Sequence, residues 1–141
     1  MNLTLAIVKP DAVSRNMAGK VLGHLEEKGF RIRALRMLHM TEAQAQEFYA
    51  VHRERPFYGS LVKFMTSGPA IPVVLEKTGA VPALREAIGA TDPKEAAAGT
   101  VRALYAESKE RNAIHASDSD ENAVREIAFF FPTSEVLTTG R

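Results

Sequence analysis

The stretch that most narrows what this chain can fold into is Leu3-Thr4-Leu5-Ala6-Ile7-Val8. A nearly continuous apolar run containing β-branched residues predicts a central strand covered on both faces. Lys9-Pro10-Asp11 ends the run at once. The run is thus too short for a signal-peptide core or a membrane span. The polar end of a buried strand is instead a candidate site rim.

A strand covered on both faces needs helices, and the remaining pattern supplies them. Val21, Leu22 and Leu25 share a face of a helix expected from Met17 to Lys28, with Gly29 as its stop. Residues 30 to 38 alternate, with Phe30, Ile32 and Ala34 on one side and Arg31, Arg33 and Leu35 on the other. This predicts a strand with one solvated face. Thr41 and Gln44 form a capping box opening a helix to about Val51. A helix is expected over 60–66, a strand over Ile71–Leu75 and a helix over Val81–Ile88. Between Gly89 and Arg111 the pattern breaks into short pieces, as functional loops often do. Ala113-Ile114-His115 reads as a short strand. The acids and serines of 117–121 then start a helix that runs towards Phe130, with a tail over 132–141. The order predicts an α+β ferredoxin-like βαββαβ sandwich, a four-stranded antiparallel sheet with helices packed on it. With 141 residues and no repeat or linker, one domain over 1–141 is expected.

Composition excludes several function classes. The chain has no cysteine, so disulfides and thiolate metal sites are ruled out. A net charge of +1 argues against a general nucleic-acid surface. Neither a P-loop nor a Gly-x-Gly-x-x-Gly fingerprint occurs, and no cluster of histidines suggests zinc.

The segment richest in chemistry is Asn112-Ala113-Ile114-His115-Ala116-Ser117-Asp118-Ser119. Neutral imidazole is a competent nucleophile when a partner fixes its tautomer. Asp118, Glu121 and Glu126 are nearby carboxylates, and spacing does not choose among them. On spacing alone, packing or capping is the commoner role for a lone histidine at a helix start.

This segment resembles the nucleoside diphosphate kinase active-site pattern Asn-x-x-His-Gly-Ser-Asp-Ser. The resemblance extends through Lys9-Pro10-Asp11, Arg55-Pro56-Phe57, Thr66-Ser67-Gly68-Pro69, Gly99-Thr100-Val101-Arg102 and Arg125-Glu126-Ile127. It implies a ping-pong transfer of the terminal phosphoryl group from a nucleoside triphosphate, usually ATP, to a nucleoside diphosphate. It further implies that His115 is phosphorylated on Nδ1, with Glu126 orienting its other nitrogen and Ser117 in the same network. Tyr49 matches a tyrosine beside the histidine, and Lys9 a contact to phosphate and the sugar 3′-hydroxyl. Arg85, Thr91 and Arg102 match phosphate ligands, and Asn112 a ribose contact. Phe57 matches the aromatic under the base, with Leu61 lining the slot. Mg²⁺ is the implied cofactor, held through phosphates and water with no protein ligand. A cytoplasmic homo-oligomer is implied, with no membrane and no specific nucleic acid; the ten residues after Phe131 favour a dimer or tetramer over a hexamer. His24, His39 and His52 match no catalytic position.

Four positions depart from the pattern. Ala116 and Ala12 stand where glycine is usual, Leu104 where an acid is common, and Lys109 where an apolar residue often meets the base. Backbone strain is expected just after the histidine, at Ala116. The rival readings are a binding protein that keeps the fold without the activity, and a histidine phosphocarrier that serves proteins.

Overall fold

In the computed structural model, which describes residues 2–136, β1 (Leu3–Val8) lies inside the sheet, as its nearly continuous apolar run predicts. After it come α1 (Pro10–Ser14), α2 (Ala18–Glu27), β2 (Arg31–Leu35), α3 (Glu42–Phe48) and α4 (Tyr58–Met65). Then follow β3 (Ile71–Glu76), α5 (Ala80–Ile88), α6 (Val101–Tyr105), β4 (Ile114–Ala116) and α7 (Asp120–Phe130). The sheet order is β2-β3-β1-β4 and every neighbouring pair is antiparallel, giving the expected ferredoxin-like sandwich.

Alternation along β1 divides the core into two layers. Ala6 and Val8 pack with Val21 and Leu25 of α2 and Leu84 and Ile88 of α5. Leu5 and Ile7 pack with Phe48 of α3, Met65 of α4 and Phe130 of α7. Both faces are therefore covered, which is why β1 tolerates no polar alternation. β4 follows the same rule. Ile114 and Ala116 join the first layer, so His115 between them faces the second, against α3 and α7.

The strand expected over 30–38 forms, but its solvated face is wrong at Arg33. Ile32 pairs with Leu75 while Ala34 pairs with Val74, so Arg33 is an extra residue at a bulge. Arg33 is 5% exposed, and its Nε donates to Glu76 Oε1 at 2.7 Å. The inserted residue also moves Ala34 to the opposite layer from Phe30 and Ile32.

Two short helices escape the periodicity. α1 starts with Pro10 at its first position, where the missing N–H costs nothing. α6 lies within the irregular 89–111 stretch and is capped by Thr100, whose Oγ1 accepts from the Ala103 N–H. α3 ends at Phe48, earlier than expected, and the chain continues as a 3₁₀ turn over Ala50–His52. Of the expected tail, Thr133–Glu135 form another 3₁₀ turn, and 137–141 lie outside the described residues.

Candidate active site

β4 and α7 together build the histidine's surroundings. Ser119 caps α7 by accepting from the Asn122 N–H at 3.1 Å, which sets the helix directly after the strand. Glu126, two turns into α7, then reaches back to β4. Its Oε1 lies 2.8 Å from His115 Nε2 and accepts from Ser117 Oγ at 2.7 Å. Burial pushes the Glu126 carboxyl up, but the His115 and Ser117 hydrogen bonds and the charge of Arg125 outweigh it, and the net shift is downward. An ionised Glu126 is best matched by an N–H on Nε2, which leaves the lone pair on Nδ1.

The imidazole is fixed from two more sides. The Phe48 ring meets it edge-on at 5.4 Å and the Tyr49 ring at 6.0 Å. Burial and the Glu126 charge push the Tyr49 hydroxyl far up, so it stays neutral. That hydroxyl is buried with no hydrogen-bond partner among the described residues. His115 and Glu126 line a cavity of about 180 Å³ together with Arg85, Asp118, Asn122 and Arg125. His52, which sequence left outside the site, is also on this wall and stacks at 6.5 Å on Tyr49.

A second cleft, of about 390 Å³, is lined by Lys9, Phe57, Leu61, Thr91, Lys109, Glu110 and Asn112. Lys9, at the polar end of β1, donates from Nζ to Asn112 Oδ1 at 2.8 Å. Asn112 in turn donates from Nδ2 to the Lys109 carbonyl at 2.8 Å. Thr91 is exposed, and its contact with Asn112 runs through its carbonyl at 3.5 Å. Phe57 is 47% exposed at the mouth, an aromatic face held open to solvent.

Arg102, on α6, lines neither cavity, but its charge bears on Lys9 and that of Arg85 bears on it. Its guanidinium donates to the carbonyls of Gly89 at 3.1 Å and Ile114 at 2.7 Å, and Nε is buried without a partner among the described residues. Burial and the charge of Arg85 lower its pKa to about 10. Burial and the charge of Arg102 lower Lys9 to about 8, against the pull of Asp11 and Glu110. Three cations thus bear on one another in series, two of them destabilised by burial and mutual repulsion. An arriving polyanion would relieve that repulsion. Among the described residues no group of three or more His, Asp or Glu side chains is placed to hold a metal ion.

The predicted residues therefore fall into two sets. His115, Glu126, Ser117, Tyr49 and Arg85 gather at one cavity; Lys9, Asn112, Phe57, Leu61 and Thr91 at the other. Sequence reasoning missed Phe48 and Asp11, and weighed Asp118 only as a candidate carboxylate partner for His115. Asp118 accepts from Asn122 Nδ2 at 2.6 Å, which with nearby cations holds its carboxyl below the ordinary range. Asp11 sits inside the Lys9-Pro10-Asp11 motif, but only the fold shows that its carboxylate is buried.

Residues 2–136 match the model of the family described as nucleoside diphosphate kinase. The chain belongs to that family. It is 58% identical over 80 residues to the nucleoside diphosphate kinase of Chlorobium chlorochromatii and 53% identical over 79 residues to that of Desulfatibacillum aliphaticivorans. These matches span 57% of each relative's length, so the chain aligns with a little over half of the curated relatives. The solved structure of the Aquifex aeolicus nucleoside diphosphate kinase superposes with a TM-score of 0.94 at 48% identity, covering 96% of this chain and 99% of that one. The Halobacterium salinarum enzyme, solved in complex with CDP, gives a TM-score of 0.93 at 38% identity, covering 100% and 95%.

Within the nucleoside diphosphate kinase fold the unusual positions can be placed. Ala116 lies in regular strand opposite Ala6, so the strain expected after the histidine is not there. It lies before it: Ala113 has φ +74°, in the left-handed region that alanine disfavours. Ala12 is fully buried in the first core layer, where a methyl adds packing. Leu104 is 53% exposed on α6. Lys109 lines the same cleft as Phe57.

Proposed function

We propose that this chain transfers the terminal phosphoryl group of a nucleoside triphosphate, usually ATP, to a nucleoside diphosphate through a phosphohistidine at His115. The observation that carries this reading is the Glu126–His115 pair, which commits Nε2 and frees Nδ1 in a cavity that Arg85 also lines. In the first half-reaction the Nδ1 lone pair forms a bond to the terminal phosphorus. The bond from phosphorus to the bridging oxygen breaks, and the nucleoside diphosphate leaves with those electrons. Glu126 stabilises the positive charge that builds on the ring. In the second half-reaction a terminal oxygen of another diphosphate attacks the phosphorus, the P–N bond breaks, and neutral His115 returns.

Lys9, Arg85 and Arg102 would hold the phosphate oxygens, with Thr91 as a neutral neighbour. Asn112 and Lys9 would meet the sugar, and Phe57 and Leu61 the base. Tyr49 and Ser117 keep the imidazole and its carboxylate in place. Mg²⁺, arriving on the phosphates with its waters, would neutralise charge there.

The same reading includes one domain over 1–141, a cytoplasmic setting and a homo-oligomer, dimer or tetramer. Exposed Leu35, at the end of edge strand β2, and Met37 just beyond it support self-association, and sedimentation measures its size. Among the described residues no helix is long and apolar enough to cross a membrane. Incubation with γ-labelled ATP is expected to give an acid-labile, base-stable phosphoprotein that any nucleoside diphosphate discharges. His115→Ala should abolish both labelling and exchange. Normal labelling in that variant would overturn the proposal, and discharge only to a protein acceptor would favour a phosphocarrier.

A further inference from the structure

The proposed chemistry uses nothing of Asp11, yet Asp11 is among the most buried charged side chains of the chain, 1% exposed at the start of α1. An acid there would ordinarily serve its own helix. Instead its Oδ2 accepts from the Ala113 N–H at 3.0 Å, 102 positions along the chain. Ala113 is also the residue with φ +74°. Its carbonyl accepts from the Lys9 N–H at 2.9 Å, so residues 9 and 11 grip this one kinked peptide from both sides. The kink turns the chain between Asn112, which holds the Lys9 ammonium, and β4, which carries His115. Without it, Asn112 and the strand would not both keep their places.

We propose that Asp11 is a positioning residue for Lys9: its carboxylate clamps the kinked residue Ala113, thereby setting Asn112 against Lys9, and supplies a negative charge facing Lys9. The assignment deepens the phosphotransfer reading and rests on it for the role of Lys9.

Electrostatics agree with the geometry. Lys9 is faced by Arg102 from α6, by Asp11 from α1 and by Glu110 from the loop before β4, with neutral Asn112 beside it. Burial pushes the Asp11 carboxyl up, opposed by Lys9, by the Ala113 N–H, by its own backbone N–H and by Arg111. Its Oδ1 has no hydrogen-bond partner among the described residues, so the carboxylate depends on those four interactions. Removing the Asp11 charge leaves Lys9 with the repulsion of Arg102 and only the weaker pull of Glu110. Lys9 must then lose its proton at lower pH.

Asp11→Asn separates the two duties, because its amide oxygen can still accept from Ala113. The variant is to be compared with wild type by ¹⁵N titration of the Lys9 ammonium and by kcat/KM for a diphosphate acceptor across pH 6 to 9.5. We expect Lys9 to titrate lower, the alkaline limb of kcat/KM to move down with it, and a loss of roughly tenfold at pH 8. Labelling of His115 by phosphoramidate, a phosphoryl donor with no nucleoside, should stay near the wild-type rate. An unmoved Lys9 titration, a fall in kcat/KM uniform across pH, or an equal loss of phosphoramidate labelling would each overturn the assignment. Should the variant not fold, the wild-type protein still decides: the Asp11 carboxyl carbon must report a carboxylate at pH 7, and a protonated acid there rejects the proposal. A wild-type protein that titrates as expected but exchanges no phosphate between nucleotides would refute the phosphotransfer reading and leave the Asp11–Lys9 coupling standing.

Discussion

At the scale of single residues, the site depends on one carboxylate oxygen serving two donors. Glu126 Oε1 accepts from Ser117 and pairs with His115 Nε2, and both contacts favour its ionised form. Glu126→Gln keeps a neutral acceptor for Nε2 and removes the charge that stabilises the developing cation. The rate of His115 phosphorylation is expected to fall roughly a hundredfold, with little change in nucleotide affinity. Single-turnover labelling measures this directly, and an unchanged rate would mean that the pair only packs. The pH dependence has a definite sign. Glu126 is depressed in the folded state, so its contribution to stability is present above the ordinary glutamate range and is lost as pH falls through its lower folded value. Acid unfolding of Glu126→Gln should accordingly lack that component.

At the scale of elements, what could be read in advance depended on length and on local signals. β1 was legible because a six-residue run broken only by Thr4 has one good explanation, and α7 because Ser119 and the acids after it mark a helix start. α1 and α6 have five residues each, too few to show a period of 3.6. The bulge in β2 was invisible because an inserted residue leaves the alternation of letters intact while reversing what faces the core. Resemblance supplied the roles of Glu126 and Lys9; the burial of Asp11 and the left-handed Ala113 needed the fold. The bulge also yields a test. Arg33→Ala removes a guanidinium that is itself buried and paired with Glu76 on β3, in a place where little water reaches. Breaking one side of a buried pair costs about 3 kcal/mol, equivalent to roughly 10 °C in Tm for a chain of this size. Thermal unfolding should show that loss, whereas a solvated Arg33, as alternation alone suggests, would give almost none.

At the scale of the whole molecule, the fold assembles a site from parts that are distant in sequence. Lys9 ends β1, His115 is on β4, Arg102 on α6 and Phe57 at the start of α4. The sheet brings the first two together, because β1 and β4 are neighbours with Ile7 opposite His115. Of the groups proposed to meet phosphate, Lys9 and Arg102 are buried and tightly held, whereas Phe57, proposed to meet the base, is half in solvent. That division predicts how the cost of a mutation splits between binding and chemistry. Phe57→Ala removes a stacking face that every base can use, but no group near His115. Base stacking on an aromatic is worth about 1–3 kcal/mol, so KM for ADP, GDP, CDP and UDP should all rise, by roughly tenfold or more. Because the ring is 47% exposed, thermal stability should barely move, and phosphoramidate should label His115 as fast as in wild type. A rise in KM confined to one base would mean that base edges, read by neighbours such as Lys109, dominate the cleft. A parallel fall in labelling would mean that the two cavities are not separable, since a group placed only to hold the base would then be altering the nucleophile.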